Sequence, residues 1–409
     1  MRALCVVALM LIGWTQPAGA SSPALYAQVT PAVLAAMEPT LVMTPPRFDP
    51  QLAYLNAFRQ RLEEVAARDY MAGLAVAVID QGELVMVYTA GEVAAGSGEP
   101  VTDRTLFRAA SVSKGMTGTL MALLEHEGRL SLDESVPREL LPLPHGRSAT
   151  AVQVLAQRTG LVPHALDRSM ERGIELYDLR NRFRTQRAVC RPGTCYSYQN
   201  VTYTSLETLG AQAAGLPFEQ AMRAWLFERI GMPDATVGVD DLVTAESWAR
   251  PHRRREREDG LPVPGDPESA YDATVSAAGV NISLRDMIAY AQAHLGISGR
   301  LPRAVIERVQ TSQGDTPEQT RRLYRLSERI DGTGYGLGWR SYDWNGRQLM
   351  THSGYLSGYG AQIYLEPATG FAYVGLWNAD GDAPWWLFPT LMDLRTGDGP
   401  GDWIDRLDE

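Results

Sequence analysis

Ser111-Val112-Ser113-Lys114, preceded by Leu106-Phe107-Arg108-Ala109-Ala110, is the stretch from which the rest of this chain is best read. It opens a predicted helix that runs through Met116, Leu120, Leu123 and Leu124 and stops near Gly128. Lys114 is the only lysine among 409 residues; every other positive side chain is arginine. Arginine holds its proton in a protein, whereas lysine releases it once burial or a neighbouring charge lowers its pKa. A serine and a lysine three positions apart share one face of a helix. The pair therefore reads as a hydroxyl nucleophile beside its base. Ser-x-x-Lys arises by chance about once in a chain of this length, so other motifs have to agree with it.

The surrounding chain has a readable order. After Asp49-Pro50, an N-cap followed by Pro at the first helical position, Leu52, Leu55, Phe58, Leu62 and Val65 form a helical stripe. Leu74 to Ile79 and Leu84 to Tyr88 flank the polar turn Asp80-Gln81-Gly82 and predict a hairpin. Gly115 and Gly118 are poor helix formers, which suits a helix face against which another backbone packs. Ser283-Leu284-Arg285-Asp286 is a capped helix start leading to Met287, Tyr290 and Leu295. Leu337 to Trp344 and Arg347 to His352 flank Asn345-Gly346, a strong hairpin signal. Gly360 to Leu365 and Phe371 to Trp377 extend this to an antiparallel meander, and Trp385 to Leu394 supplies a closing helix.

The expected fold class is α+β: an antiparallel sheet built from both ends of the chain, flanked by helices, with a mostly helical middle inserted. One domain is expected over 49–395. Its α/β part covers about 49–128 and 265–395, and the inserted part about 129–264; 21–48 form an extended lead-in and 396–409 a C-terminal tail.

Two further motifs bear on chemistry. Tyr198-Gln199-Asn200 places a phenol and an amide two residues apart, on one face of an extended segment. A phenol beside a lysine can pass a proton, and an amide can hydrogen-bond a substrate carbonyl or N–H. Thr351-His352-Ser353-Gly354 ends a predicted strand, where the glycine would let a substrate backbone come close.

Taken in order, Ser-x-x-Lys, Tyr-x-Asn and His-x-Gly make the chain resemble the serine β-lactamase and penicillin-binding-protein superfamily, in its class C β-lactamase-related branch. Gly160-Leu161-Val162-Pro163, Gly231-Met232-Pro233 and Tyr335-Gly336-Leu337-Gly338-Trp339 agree with it, over about residues 50–395. The resemblance implies that Ser111 is the nucleophile, that Lys114 and Tyr198 share base and acid work, and that Asn200 contacts the substrate amide. It implies an oxyanion hole from the backbone N–H groups of Ser111 and Tyr355, with His352 and Gly354 in the substrate-binding third box. A covalent acyl-enzyme would form and be hydrolysed, with no metal and no cofactor. Dedicated class C β-lactamases carry Lys where this chain has His352, and a histidine is mostly neutral near pH 7. The His-x-Gly branch holds D-aminopeptidases, D-peptidases and esterases. Short esters or D-amino-acid amides are therefore expected to be better substrates than cephalosporins. The alternatives are a true class C-type β-lactamase and a non-catalytic binder of penicillin or cell-wall fragments.

Composition sets the outer limits. A formal net charge of −10 argues against nucleic acid as a partner, because phosphate binding needs a basic field. The expected partner is a small-molecule or short-peptide substrate, and nothing in the sequence sets an oligomeric state. Arg2, the apolar run Ala3 to Trp14 and Ala18-Gly19-Ala20 read as a secretory signal cleaved after Ala20, which predicts a periplasmic or secreted protein; an uncleaved anchor is the competing reading. No later stretch is long and apolar enough to span a membrane. Cys190 and Cys195 can close a small disulfide loop in an exported protein, while the six scattered histidines show no metal-ligand spacing. The basic run Arg250 to Arg257 reads as solvated, and the acceptor sequence Asn200-Val201-Thr202 as silent.

Overall fold

A computed structural model describes residues 53–253 and 263–407. The early hairpin, β1 (Gly73–Asp80) and β2 (Glu83–Gly91), joins a late meander in one antiparallel sheet. The meander comprises β3 (Ile330–Tyr335), β4 (Arg340–Trp344), β5 (Arg347–Leu356), β6 (Tyr359–Glu366) and β7 (Phe371–Trp377). The strand order is β2-β1-β7-β6-β5-β4-β3, so the N- and C-terminal parts meet where Leu74 pairs with Trp377 and Ile79 with Ala372. The α+β class, the sheet assembled from both ends and the helical insertion are as expected.

Both tight hairpins follow from their turn residues. Gln81 and Gly82 have φ of 52° and 84°, and Asn345 and Gly346 have 48° and 76°. Two successive left-handed residues match the twist of the strands they join.

Both faces of the sheet are covered, which explains why β1 is apolar without alternation. Ala75, Ala77 and Ile79 face a core that includes α2 (Ser113–His126) and α3 (Leu284–His294). Leu74, Val76 and Val78 face a second core that includes α1 (Tyr54–Ala66) and α4 (Leu387–Thr396). In α1 the expected stripe Leu55, Phe58, Leu62 and Val65 is buried, while Asp49, Pro50 and Leu52 lie outside the described residues. A capping box formed by Ser283 and Asp286 starts α3, as its sequence predicts.

Three expectations need correction. Leu337 to Trp339 is not strand: Gly336-Leu337-Gly338-Trp339 is a loop wedged onto α2. A Cβ on Gly118 would lie 2.0 Å from the Leu337 carbonyl oxygen, and one on Gly338 would lie 2.1 Å from that of Lys114. Two glycines thus face each other's backbones, which is why a helix start tolerates Gly118. Strand β3 went unanticipated because Gly332 and Gly334 break its pattern. In the basic run, Pro251 and His252 are buried rather than solvated. His252 accepts the Ala95 N–H at 3.0 Å and donates to the Asn378 carbonyl at 2.8 Å; residues 254–262 lie outside the described ones.

The insertion also contributes to a small ribbon in the order Phe107–Arg108, Val280–Ile282, Thr236–Val237. That ribbon fixes the chain just ahead of Ser111. Beyond α4, Trp403 and Ile404 are buried, and the Trp403 indole donates to Asp393 at 2.8 Å. Among the described residues, no helix is long and apolar enough to cross a membrane.

Candidate active site

Ser111 lies in a tight 3₁₀ turn, Ala110–Val112, that runs directly into α2. Ala110 is held at φ 47°, a left-handed conformation that a residue with a Cβ adopts at a cost of about 1–3 kcal/mol. The Ala109 N–H donates to the Val280 carbonyl at 2.9 Å, and β5 presses on the other side. A Cβ on Gly354 would stand 2.2 Å from the Ala109 oxygen and 3.0 Å from the Ser111 nitrogen. The glycine admits the protein's own nucleophile turn, not a substrate backbone as expected. This contact brings the chain at Gly354 and Tyr355 beside the Ser111 N–H.

Lys114, the second residue of α2 and one turn after Ser111, is fully buried. Its ammonium nitrogen donates to Ser111 Oγ at 3.3 Å, to Asn200 Oδ1 at 2.7 Å and to the Ala277 carbonyl at 3.0 Å. All three acceptors are neutral. Burial, opposed by the Asp167 carboxylate and helped by Arg340, brings the amine down to about 7. The nitrogen also sits 4.8 Å from the centre of the Tyr198 ring.

Tyr198 is half-buried beside Ser111. Burial raises its phenol above the ordinary value, while Arg340 and a hydrogen bond with Ser111 pull it back. The segment carrying it is clamped by Gln157, whose side chain accepts the Gln199 N–H at 2.6 Å and donates to the Gln199 carbonyl at 3.1 Å. Gln157 acts here across 42 residues of sequence, with no local motif to mark it. Cys190 and Cys195 form a disulfide just before Tyr196.

Asn200 is 6% exposed and fully engaged: Oδ1 accepts from Lys114, and Nδ2 donates to Asp167 Oδ2 at 2.7 Å. Asp167 also pairs with His164 Nδ1 at 2.9 Å. Neither His164 nor Asp167 was singled out from the sequence; their three-residue spacing was the available signal.

His352 is placed differently from its expected contact with substrate. It is fully buried, with Nε2 3.0 Å from the Tyr335 hydroxyl and Nδ1 3.0 Å from the Ser353 carbonyl. Burial, Arg340 and Lys114 together hold its pKa well below the ordinary value, so it is neutral. The fixed cation of this site is Arg340, which β4 sets opposite Thr351 of β5. It lies 5.0 Å from the centre of the Tyr198 ring and donates to the Tyr196 hydroxyl at 3.2 Å. Among the described residues it has no carboxylate partner. A single arginine inside a predicted strand gave no sequence signal.

Ser111, Tyr198, Asn200, His164, Asp167 and Tyr355 line a cavity of about 750 Å³, with Lys114 behind Ser111 and Arg340 behind Tyr198. The Tyr355 side chain stands 57% exposed at its mouth. Such a cavity suits a small molecule or a short peptide. No three His, Cys, Asp or Glu side chains among the described residues gather as a metal site.

Residues 58–385 match the family model described as Beta-lactamase. The chain belongs to the Beta-lactamase family. Among members of this family, it is 25% identical over 349 residues to penicillin-binding protein 4 of Amycolatopsis lactamdurans, covering 78% of this chain and 84% of that protein. It is 28% identical over 332 residues to a D-aminopeptidase of Gluconobacter oxydans (strain 621H), covering 74% of this chain and 56% of that protein. Its fold is similar to an octameric penicillin-binding protein homologue from Pyrococcus abyssi, with a TM-score of 0.74 at 21% identity over 87% of this chain and 80% of the other. A class C beta-lactamase gives 0.65 at 19% identity over 84% and 96%. The Beta-lactamase family expected from the three ordered motifs is therefore borne out, and so is the fold, which is similar to that of a class C beta-lactamase.

Proposed function

We propose that this protein is an exported serine hydrolase that works through an acyl-enzyme on Ser111, cleaving short esters or amides, D-amino-acid peptides among them. The carrying observation is the fully buried Lys114 amine, 3.3 Å from Ser111 Oγ and surrounded by neutral acceptors. A neutral amine there takes the Ser111 proton as Oγ attacks the substrate carbonyl. The backbone N–H groups of Ser111 and Tyr355 stabilise the oxyanion. Tyr198 passes a proton to the leaving group as its bond to the carbonyl carbon breaks. Water then cleaves the ester on Ser111 and restores the hydroxyl. Export rests on the leader at residues 1–20, outside the described residues.

Arg340 favours a second reading. It supplies a permanent cation that His352 does not, and a guanidinium pairs well with a carboxylate. Substrates bearing a carboxylate, β-lactams included, gain support from it. A fluorophosphonate probe tests the main reading: it is expected to label wild type and to spare Ser111→Ala. Absence of labelling on wild type would leave only a binding protein. A panel of p-nitrophenyl esters, D-alanine p-nitroanilide and a chromogenic cephalosporin then ranks the substrates, and efficient cephalosporin turnover would favour the second reading.

A further inference from the structure

A chain of hydrogen bonds continues behind the nucleophile and its amine, and the proposed acyl-transfer chemistry does not use it. Ser111 Oγ leads to Lys114, Lys114 to Asn200 Oδ1, Asn200 Nδ2 to Asp167 Oδ2, and Asp167 to His164 Nδ1. The chain starts buried and ends at an imidazole whose side chain is 48% exposed on the cavity wall. We propose that His164 and Asp167 are a positioning and charge-tuning pair for the nucleophile, acting on Lys114 through Asn200.

Two physical effects follow from the geometry. First, an amide has one accepting end and one donating end. Asp167 is acceptor-only when ionised, so it takes the Nδ2 end and turns Oδ1 toward the amine. Second, the charge of Asp167 favours the protonated amine, while the positive Arg340 on the far side disfavours it. His164 Nδ1 holds that carboxylate from the cavity side at 2.9 Å, so the exposed end of the chain sets the orientation from which the charge of Asp167 acts on the buried end. Asp167 Oδ1 is buried and has no hydrogen-bond partner, so the carboxylate is not already neutralised by other donors.

Other charged and titratable groups are accounted for. Lys114 is faced by Arg340, Tyr198, Tyr203 and His352 besides Asp167. The His164–Asp167 pair is faced by Tyr198, whose ring centre is 5.5 Å from that of His164, and by Arg168, Glu171 and Tyr271 on the cavity wall. Glu171 is occupied by the Tyr271 hydroxyl at 2.9 Å.

The lone lysine makes a direct test available. Full-length protein grown with [ε-¹³C]lysine gives one lysine resonance, and its titration reads Lys114 alone. Asp167→Asn is expected to move the titration midpoint down, and His164→Ala, which releases one end of the carboxylate, to move it down by less. The acid limb of the fluorophosphonate labelling rate is expected to follow. At pH 6, relative to each protein's own plateau, the rate should rise about threefold or more in D167N and by a smaller factor in H164A. An Asp167→Asn midpoint that stays in place or rises would overturn the proposal, as would equal shifts of one sign in both variants. The resonance titrates whether or not Ser111 is acylated. This inference builds on the serine-hydrolase reading, yet midpoints that shift as expected without any labelling would sink that reading alone.

Discussion

Lys114 and Arg395 are buried cations on opposite faces of the same sheet, and their surroundings differ in kind. Arg395, at the end of α4, donates to Asp80 at 2.9 Å and to Glu366 at 2.9 Å. Asp80 also accepts the Tyr54 hydroxyl at 2.6 Å, and Glu366 accepts from Arg347 at 3.1 Å. Burial alone would lower the Arg395 pKa, and the two carboxylates more than reverse that. Lys114 touches only neutral oxygens, and its pKa falls. A cation paired with carboxylates is a strut joining β1, β6 and α4. A cation given neutral partners is poised to exchange a proton. Burial is common to both; the partners decide between structure and chemistry.

The sharpest way to break this contrast is to exchange the two kinds of cation. Lys114→Arg keeps the charge but removes the proton acceptor, so the labelling rate of Ser111 should fall about 10²- to 10⁴-fold in a protein that still folds. A loss below tenfold would mean that charge alone is needed at that position. On the other face, Arg395→Met strands two buried carboxylates and should cost roughly 3–5 kcal/mol in urea denaturation, with the labelling rate of the folded protein unchanged. A cost under about 1 kcal/mol would make that network ornamental.

Smaller effects sharpen the comparison. Opening the Cys190–Cys195 disulfide with Ser at both positions should cost roughly 2 kcal/mol, and calorimetry together with the labelling rate would separate stability from Tyr198 placement. Arg340→Gln removes a positive field that lowers the Lys114 pKa. The amine then holds its proton to higher pH, so the acid limb of the pH–rate profile should move above its wild-type position near pH 7. The rate at pH 7 should fall by about two- to threefold. A limb that moves down instead would reverse the sign assigned to Arg340.

Much of this architecture was legible because local and global signals coincide. The turns Gln81-Gly82 and Asn345-Gly346 announce their hairpins, and Ser283 with Asp286 announces α3. Gly115 and Gly118 pointed to a backbone on the face of α2; at Gly118 the Leu337–Gly338 loop is that backbone, whereas Gly115 faces the Trp339 and Tyr290 side chains. Strand β3 was hidden because its glycines carry no apolar pattern. Leu337 to Trp339 mimicked a strand because apolar residues in a plug can also alternate. In the site, the residues that bear short motifs gather around one cavity, but two of them have other neighbours than expected. His352 serves Tyr335 and Ser353, and Gly354 serves the Ala109–Ser111 turn. Arg340, Gln157, His164 and Asp167 act across long sequence separations. Only the fold brings them to Tyr198 and Asn200, so apart from the three-residue spacing of His164 and Asp167 nothing local reported their roles.

The pairing of β1 with β7 also fixes when this protein becomes competent during its synthesis. Ser111 and Lys114 leave the ribosome early, whereas β5, which carries Gly354 and Tyr355, and β7, which closes the sheet, are made near the end. A nascent chain therefore holds a serine and a lysine with no finished pocket around them, and the last strand to emerge completes the sheet.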